Sequence, residues 1–520
     1  MAVVLGPILK FCGCADGKWT VSALVIWTGE TEPTFQASVL PSATSAATPL
    51  APTARRLRSR LHKRSVHHAD SWLISVDQHP TRDLQIEYTV DGQSHSFTVP
   101  ARDSAPTCAY TSCNGFSDYK KMKDIPQDPV WNKMHANHAQ RPYHLLLMGG
   151  DQVYSDAMWT TTSLRDWAAA PNDKKLAKKP VSKALQTEVD DFFFANYLKV
   201  WSYQHIARMM ATVPTVMMWD DHDIIDGWGS YPPAFQQSPV FEMIYQVARD
   251  YFLLFQQHSA AHEEVPLRLP LQPGFSKAAR IGDYGLLVLD LRSERTPDQV
   301  MSPASWDAAY RWLDAQTDCK HLLLMSSIPV VHPDFSTLEM LLCALPGQQE
   351  LEDDLKDHWL SRTHQWERLR LIHRLQEWSQ RTGGRVTILS GDVHVAAIGA
   401  IESSQKSYQG KPITIHQLTS SGVVHPPPPA MALFYLEHVG DKVEQLEGGI
   451  STAMYKFPGT SHRYIGARNY LSLEPDRAED GRARHRLWAN WYVENEVQPY
   501  RQAILPLADH EAVPVEAIRA

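Results

Sequence analysis

The chain is poor in cysteine, has no basic excess and contains no long apolar run, and each shortage removes a class of protein. Six cysteines in 520 residues (Cys12, Cys14, Cys108, Cys113, Cys319 and Cys343) are too few for a disulfide framework. Cys12 and Cys14 stand one residue apart, a spacing of neither zinc knuckles nor redox pairs. No stretch approaches the ~18 uninterrupted apolar residues of a transmembrane helix. Lys and Arg number 50 against 58 Asp and Glu, a formal net charge of -8, so the basic surplus of a dedicated nucleic-acid binder is missing. That balance does not exclude an anionic substrate. The N-terminal run lacks a basic segment and is broken by Gly6 and Pro7, which makes a poor signal peptide and leads to the expectation of a cytoplasmic chain. No internal repeat is present, and no feature specifies an oligomeric state.

What is there is globular: 43% hydrophobic, 10% aromatic and 21% charged residues supply a sizeable core. Val3 to Phe11, Trp19 to Trp27, Phe35 to Leu40, Trp72 to Val76 and Leu84 to Val90 have strand composition. Asp91-Gly92 is a hairpin signal ahead of Ser94 to Val99. These features predict an N-terminal β-sandwich-like domain over residues 1–105. An Ala/Pro/Ser/Thr-rich stretch from Pro41 to Thr53 interrupts it, and the basic run Arg55 to Arg64 is expected to be the solvated face of a loop or short helix. From Pro106 onward strands alternate with helices. Asp190 to Met210, Phe241 to Phe255 and Trp359 to Trp378 have helical period, the last stopped by Gly383-Gly384. His144 to Met148, Val213 to Trp219, Leu286 to Leu291, His321 to Met325, Val386 to Leu389 and Ile413 to Leu418 read as strands, and Leu487 to Val493 as a last one. The expectation is an α/β core over residues 106–520.

Three of these strands run straight into metal-competent side chains. Leu145 to Met148 opens into Gly149-Gly150-Asp151-Gln152-Val153-Tyr154-Ser155-Asp156. Val216 to Trp219 opens into Asp220-Asp221-His222-Asp223, with Asp226 three residues on, and Val386 to Leu389 into Ser390-Gly391-Asp392-Val393-His394. Each alone has an ordinary reading: a turn, a helix N-terminus favouring negative charge, a capping Asp beside a histidine. Together they point to a ligand crevice beyond the carboxyl ends of strands. Carboxylates so close repel unless protons or cations neutralise them, and a cluster of metal ions supplies that neutralisation. His222 among carboxylates is suited to protonate a leaving oxygen.

Thr111-Ser112-Cys113-Asn114, Gly150-Asp151-Gln152-Val153-Tyr154, Trp219-Asp220-Asp221-His222-Asp223 and Ser390-Gly391-Asp392-Val393-His394, in that order, resemble the PhoD-like (alkaline phosphatase D-like) branch of the calcineurin-like metallophosphatases. The resemblance implies a four-layer αββα core and a multinuclear metal site. In it Cys113, Asp151, Tyr154, Asp221, Asp392 and His394 are ligands and His222 is the catalytic histidine. It implies Fe3+ with Ca2+, with Mn2+, Zn2+ or Mg2+ as alternatives. Arg292, in Asp290-Leu291-Arg292-Ser293, is similar to an arginine-bearing segment of that branch, where it would clamp phosphate; a structural ion pair is the other reading. The function implied is phosphate-ester hydrolysis by attack of metal-bound hydroxide, with His222 as general acid. The twin-arginine export signal of secreted members is not found in this sequence. Two other readings stay open: a catalytically silent interaction module of the same fold, and a non-haem iron oxygenase built on two His and a carboxylate, which leaves the extra carboxylates unexplained.

Overall fold

Two-residue turns with left-handed backbone fold much of the first hundred residues into hairpins. Strand β1 (Ala2–Ala15) returns as β2 (Lys18–Thr28) through Asp16-Gly17, at φ 52° and 73°. β3 (Phe35–Val39) and β4 (Thr48–Pro49) follow, then β5 (Thr53–His62) and β6 (Ser65–Asp77), joined by Lys63-Arg64 at φ 46° and 69°. β7 (Leu84–Val90) and β8 (Gln93–Val99) meet at Asp91-Gly92, φ 49° and 79°, as the Asp-Gly pair predicts. This computed structural model describes residues 2–41, 46–118, 122, 124–165, 167, 175–260, 263–332, 362–438, 443–476 and 486–507. Cys343 and the first residues of the helix expected from Trp359 lie outside them. Contacts group the chain into two compact units, Met1–Cys108 with Gly115–Arg268, and Ala109–Asn114 with Leu269–Ala520. The connection from the first into the second runs through β9 (Cys108–Thr111).

In the first unit, β10 (Leu145–Met148) and β11 (Thr215–Met217) join the N-terminal strands in the order β10-β11-β1-β2-β6-β5. β10, β11 and β1 run parallel and the others antiparallel. β2 is buried on both faces, which its near-continuous apolar sequence Val-Ser-Ala-Leu-Val-Ile-Trp requires. A second sheet, β4-β3-β7-β8, packs Phe35 against Trp72 and Tyr88 at ring separations of 4.9 and 5.6 Å. The longer helices of this unit among the described residues are α1 (Pro129–Gln140), α2 (Lys183–Trp201), α3 (Gln204–Thr212) and α4 (Pro239–Tyr251). The helical period read from Asp190 to Met210 covers two of them. Tyr203, with ψ 137°, breaks the run and starts α3. Ser182 and Ser238 cap α2 and α4 by accepting the N–H groups of Leu185 (3.1 Å) and Phe241 (3.3 Å).

The basic run is neither loop nor helix. Arg55 to His62 lie in β5, paired along its length with β6. The Lys63-Arg64 turn carries no glycine or asparagine to announce it, so the hairpin is silent in the sequence. The arginines are matched by acids of the same unit: Arg55 with Glu263 at 3.0 Å, Arg56 with Asp70, Arg58 with Asp190 at 3.4 Å, and Arg60 with Asp190 at 2.9 Å and with Asp191.

In the second unit the order is β12 (Lys277–Ile281), β13 (Tyr284–Val288), β14 (His321–Ser326), β15 (Arg385–Ser390), β17 (Lys411–Ser420), β16 (Ala396–Tyr408), then two short strands. β13, β14, β15 and β17 are mutually parallel. Helices α5 (Pro303–Ala315) and α6 (Arg362–Thr382) bury Trp306, Leu313, Ile372 and Trp378 with Leu324 and Ile388 of the strands. α6 ends at Gly383, φ 70°, whose N–H donates to Ser379 O at 2.9 Å. A Cβ there would lie 2.4 Å from Tyr408 Cζ, so the glycine serves both the turn and the close approach. Among the described residues no helix is long and apolar enough to cross a membrane.

Two histidines make the fold acid-sensitive. Burial, with His135 and His144 nearby, lowers His138 to about 4, and burial, with Arg385 nearby, lowers His416 to about 4. Free histidine titrates near ~6.5, so between that pH and about 4 the unfolded chain binds protons that the folded chain refuses. Stability that is complete above ~6.5 is therefore lost as the pH falls toward 4. The unfolding free energy of the metal-free chain in urea should drop from pH 7 to pH 4.5, and His416→Gln should reduce that drop by about 1–2 kcal/mol. An equal drop in the variant would contradict the assignment.

Candidate metal centre

The parallel register of β10 and β11 (Leu146 with Thr215, Met148 with Met217) ends both strands at the same level of one sheet edge. Three residues beyond each end stand Asp151 and Asp220, so both loops meet there. Donor atoms of Asp151, Asp220 and Asp221 all lie within 4.8 Å of one another, as do those of Asp221, His222 and Asp226. The first three carboxylates are buried, and burial pushes the Asp151 carboxyl well above the usual carboxylate range. Its Asp220, Asp221 and Asp223 neighbours add to that rise, while His222 opposes it. Oxygen donors packed this way fit hard or borderline metal cations, which supply the charge that protons would otherwise supply.

His222 is held by Asp156, whose Oδ2 is 2.7 Å from His222 Nδ1. Burial alone would lower the His222 pKa, but the carboxylates of Asp156, Asp221 and Asp151 outweigh it and hold the imidazole protonated well above its ordinary range. The other oxygen of Asp156 accepts the N–H of Asp226 at 2.9 Å, and Asp221 Oδ2 accepts that of Gly227 at 2.8 Å. The Tyr154 ring stacks on His222 at 4.1 Å, and its backbone carbonyl accepts from Asn196 of α2 at 2.9 Å. Gly115 makes room for that ring, since a Cβ there would lie 2.5 Å from Tyr154 Cδ2.

The second unit gathers the remaining predicted residues. Gly391-Asp392-Val393-His394 follows β15, and its neighbour β17 ends at Ser420 and runs into Ser421-Gly422. Cys113 Sγ lies 3.1 Å from Ser421 Oγ, and the same hydroxyl accepts the N–H of His394 at 3.0 Å. The Cys113 carbonyl accepts from the N–H groups of Val424 and His425 at 3.3 and 3.2 Å. His394 stacks on His425 at 3.7 Å. Arg292 lies four residues beyond β13, at the same strand-end edge as Asp392, and is fully buried. Asp290 fixes that turn by accepting from the N–H groups of Phe275 (2.8 Å), Ser293 (3.0 Å) and Arg292 (3.2 Å).

Cys113, Asp151, Asp392 and His394 all have positive φ, at 58°, 53°, 74° and 53°. Non-glycine residues adopt that region at an energetic cost of order 1–3 kcal/mol, and such strain concentrates at ligand sites. Asp156 took no individual role in the sequence reading, and Asp223 counted there only as one carboxylate of the acidic run. Asp156 carried a signal, an acid five residues after Asp151, but its partner becomes visible only in three dimensions.

The chain belongs to the PhoD-related phosphatase family, whose model matches residues 96–346 and 341–445. It is 29% identical over 434 residues to the uncharacterized protein YGR266W of Saccharomyces cerevisiae, covering 67% of this chain and 61% of that one. The chain thus spans about three fifths of that relative's length. The solved structure of PhoD resembles it with a TM-score of 0.53 at 12% identity, over 95% of this chain and 91% of that one, a likeness of fold.

Gly391 tests the geometry of the second group. A Cβ there would lie 2.4 Å from Ser112 Oγ and 2.6 Å from Ser112 Cβ. Gly391→Ala should therefore displace the Ser112-Cys113 loop and lower stability by about 1–3 kcal/mol in thermal melting. A melting curve equal to wild type would show that the loop has slack the structure does not contain.

Proposed function

We propose that the protein is a metal-dependent phosphoesterase. The observation that carries this reading is the buried meeting of Asp151, Asp220 and Asp221 beside a histidine whose Nδ1 is held by Asp156 at 2.7 Å. Membership of the PhoD-related phosphatases supports it. In this reading Cys113, Asp151, Tyr154, Asp221, Asp392 and His394 hold the metals. Iron with calcium is the favoured pairing, and manganese, zinc or magnesium are alternatives. When bound, such metals supply Lewis acidity toward phosphoryl oxygens and activate water at neutral pH. Residues 1–105 are read as an N-terminal β-sandwich-like domain and 106–520 as the PhoD-like metallophosphatase domain.

The remaining chemistry falls to the chain. Asp156 takes the Nδ1 proton of His222 into a hydrogen bond and so leaves Nε2 to give its proton to the leaving oxygen of the ester. Asp156, the first of the carboxylates that raise the His222 pKa and not one of the ligands in this reading, favours the protonated ring. The Tyr154 ring stacked on the imidazole limits its rotation. Arg292 neutralises a phosphate oxygen in this reading, with its backbone fixed by Asp290. The substrate is a phosphate ester, and the chain is read as acting in the cytoplasm.

The test is release of para-nitrophenol from para-nitrophenyl phosphate and from its bis ester by chain loaded with iron and calcium, or with manganese or zinc. His222→Asn should lower kcat by about 10²–10⁴-fold with metal content unchanged. Absence of turnover on both esters with every metal supplied would contradict the proposal. Full cellular function of His222→Asn would favour the interaction-module reading.

A further inference from the structure

The two ligand loops of the first unit are tied together by a carboxylate outside the predicted ligand set. Asp223 is buried and accepts backbone N–H groups from Asp220 at 2.9 Å, Gln152 at 3.1 Å and Val153 at 3.2 Å. The first belongs to the loop of Asp221 and the other two to the loop of Asp151. The place of this one carboxylate therefore sets the separation of the loops. A fourth donor is a side chain, the amide of Gln256, with Nε2 at 3.0 Å from Asp223 Oδ1.

Gln256 reaches Asp223 because α4 does not continue as a regular helix. Residues Phe252–Gln256 form a π-helical turn, with the N–H of Gln257 donating to Phe252 O at 3.1 Å. In an α-helix consecutive side chains point about 100° apart, and the wider π-turn alters that spacing. Here both neighbours are used: Gln257 Nε2 donates to the carbonyl of Met217, the last residue of β11, at 3.3 Å. The Gln256 amide also donates to Tyr197 OH of α2 at 2.9 Å. Such single π-turns recur at functional sites, where they re-aim a side chain.

We propose that Gln256 is a positioning residue of the metal centre, which holds Asp223 and through it the spacing of the Asp151 and Asp221 loops. The proposal rests on the metal-dependent reading above. Loss of a partner hydrogen-bonded to a ligand typically weakens metal binding about 10–100-fold, and Gln256, which acts through Asp223, falls at the lower end of that range. The experiment uses full-length chain loaded with Mn2+ and measures its release in competition with a chelator, alongside kcat and KM on para-nitrophenyl phosphate. Gln256→Leu should weaken Mn2+ retention about 10-fold or more and lower kcat with little change in KM. Tyr197→Phe, which leaves the Gln256–Asp223 bond in place, should retain Mn2+ within about twofold of wild type. Wild-type Mn2+ affinity in a folded Gln256→Leu chain would overturn the proposal. Should Gln256→Leu fail to fold, Gln256→Met keeps the length of the side chain without its donor, and wild-type retention in that variant would overturn it equally. Wild-type chain that takes up none of Mn2+, Zn2+ or Ca2+ would instead overturn the metal reading itself.

Discussion

Carboxylates that meet inside a protein repel one another, and the first unit is arranged around that repulsion. Asp151, Asp220 and Asp221 are buried with donor atoms within 4.8 Å of one another. Burial raises the energy of each charged form, and the neighbouring charges raise it further. Left to itself the group would bind protons or spread apart. Instead the loops are clamped: parallel strands in fixed register bring them together, and Asp223 crosslinks their backbones. A scaffold that forces like charges together in this way is preorganised for cations, because a bound metal ion offsets their repulsion.

The backbone shows the same preorganisation. Four predicted ligands have positive φ, two of them, Asp392 and His394, within three residues of each other. The surrounding hydrogen bonds hold them there. Ser421 receives the His394 N–H and lies against the Cys113 thiol, and Gly391 admits Ser112 closer than any side chain would allow. Local strain persists because neighbouring contacts over-determine it.

The strands were legible in the sequence because their composition is unambiguous. Leu145 to Met148 is a short apolar run cut off by Gly149, Val386 to Leu389 a largely apolar one followed by Ser390-Gly391, and each ends where the chemistry begins. The Asp91-Gly92 hairpin was legible for the same local reason. The hairpin at Lys63-Arg64 was not, since two charged residues in left-handed conformation give no compositional cue, and its arginines resembled a solvated run. The parallel pairing of Lys10 with Thr215 joins positions too far apart in sequence for any local pattern to reveal. Asp156, Asp223 and Gln256 were opaque in the same way. Their residue types are common, and only the tertiary partners His222 and the loop amides give them a role.

The central claim is that these side chains form a metal centre. Elemental analysis of the full-length chain by inductively coupled plasma mass spectrometry, after purification without chelators, tests it most directly. The account predicts two or more metal ions per chain, including iron, with the content falling in Asp151→Asn and Asp221→Asn variants that remain folded. Metal-free wild-type protein, or variants that keep the full content, would contradict it.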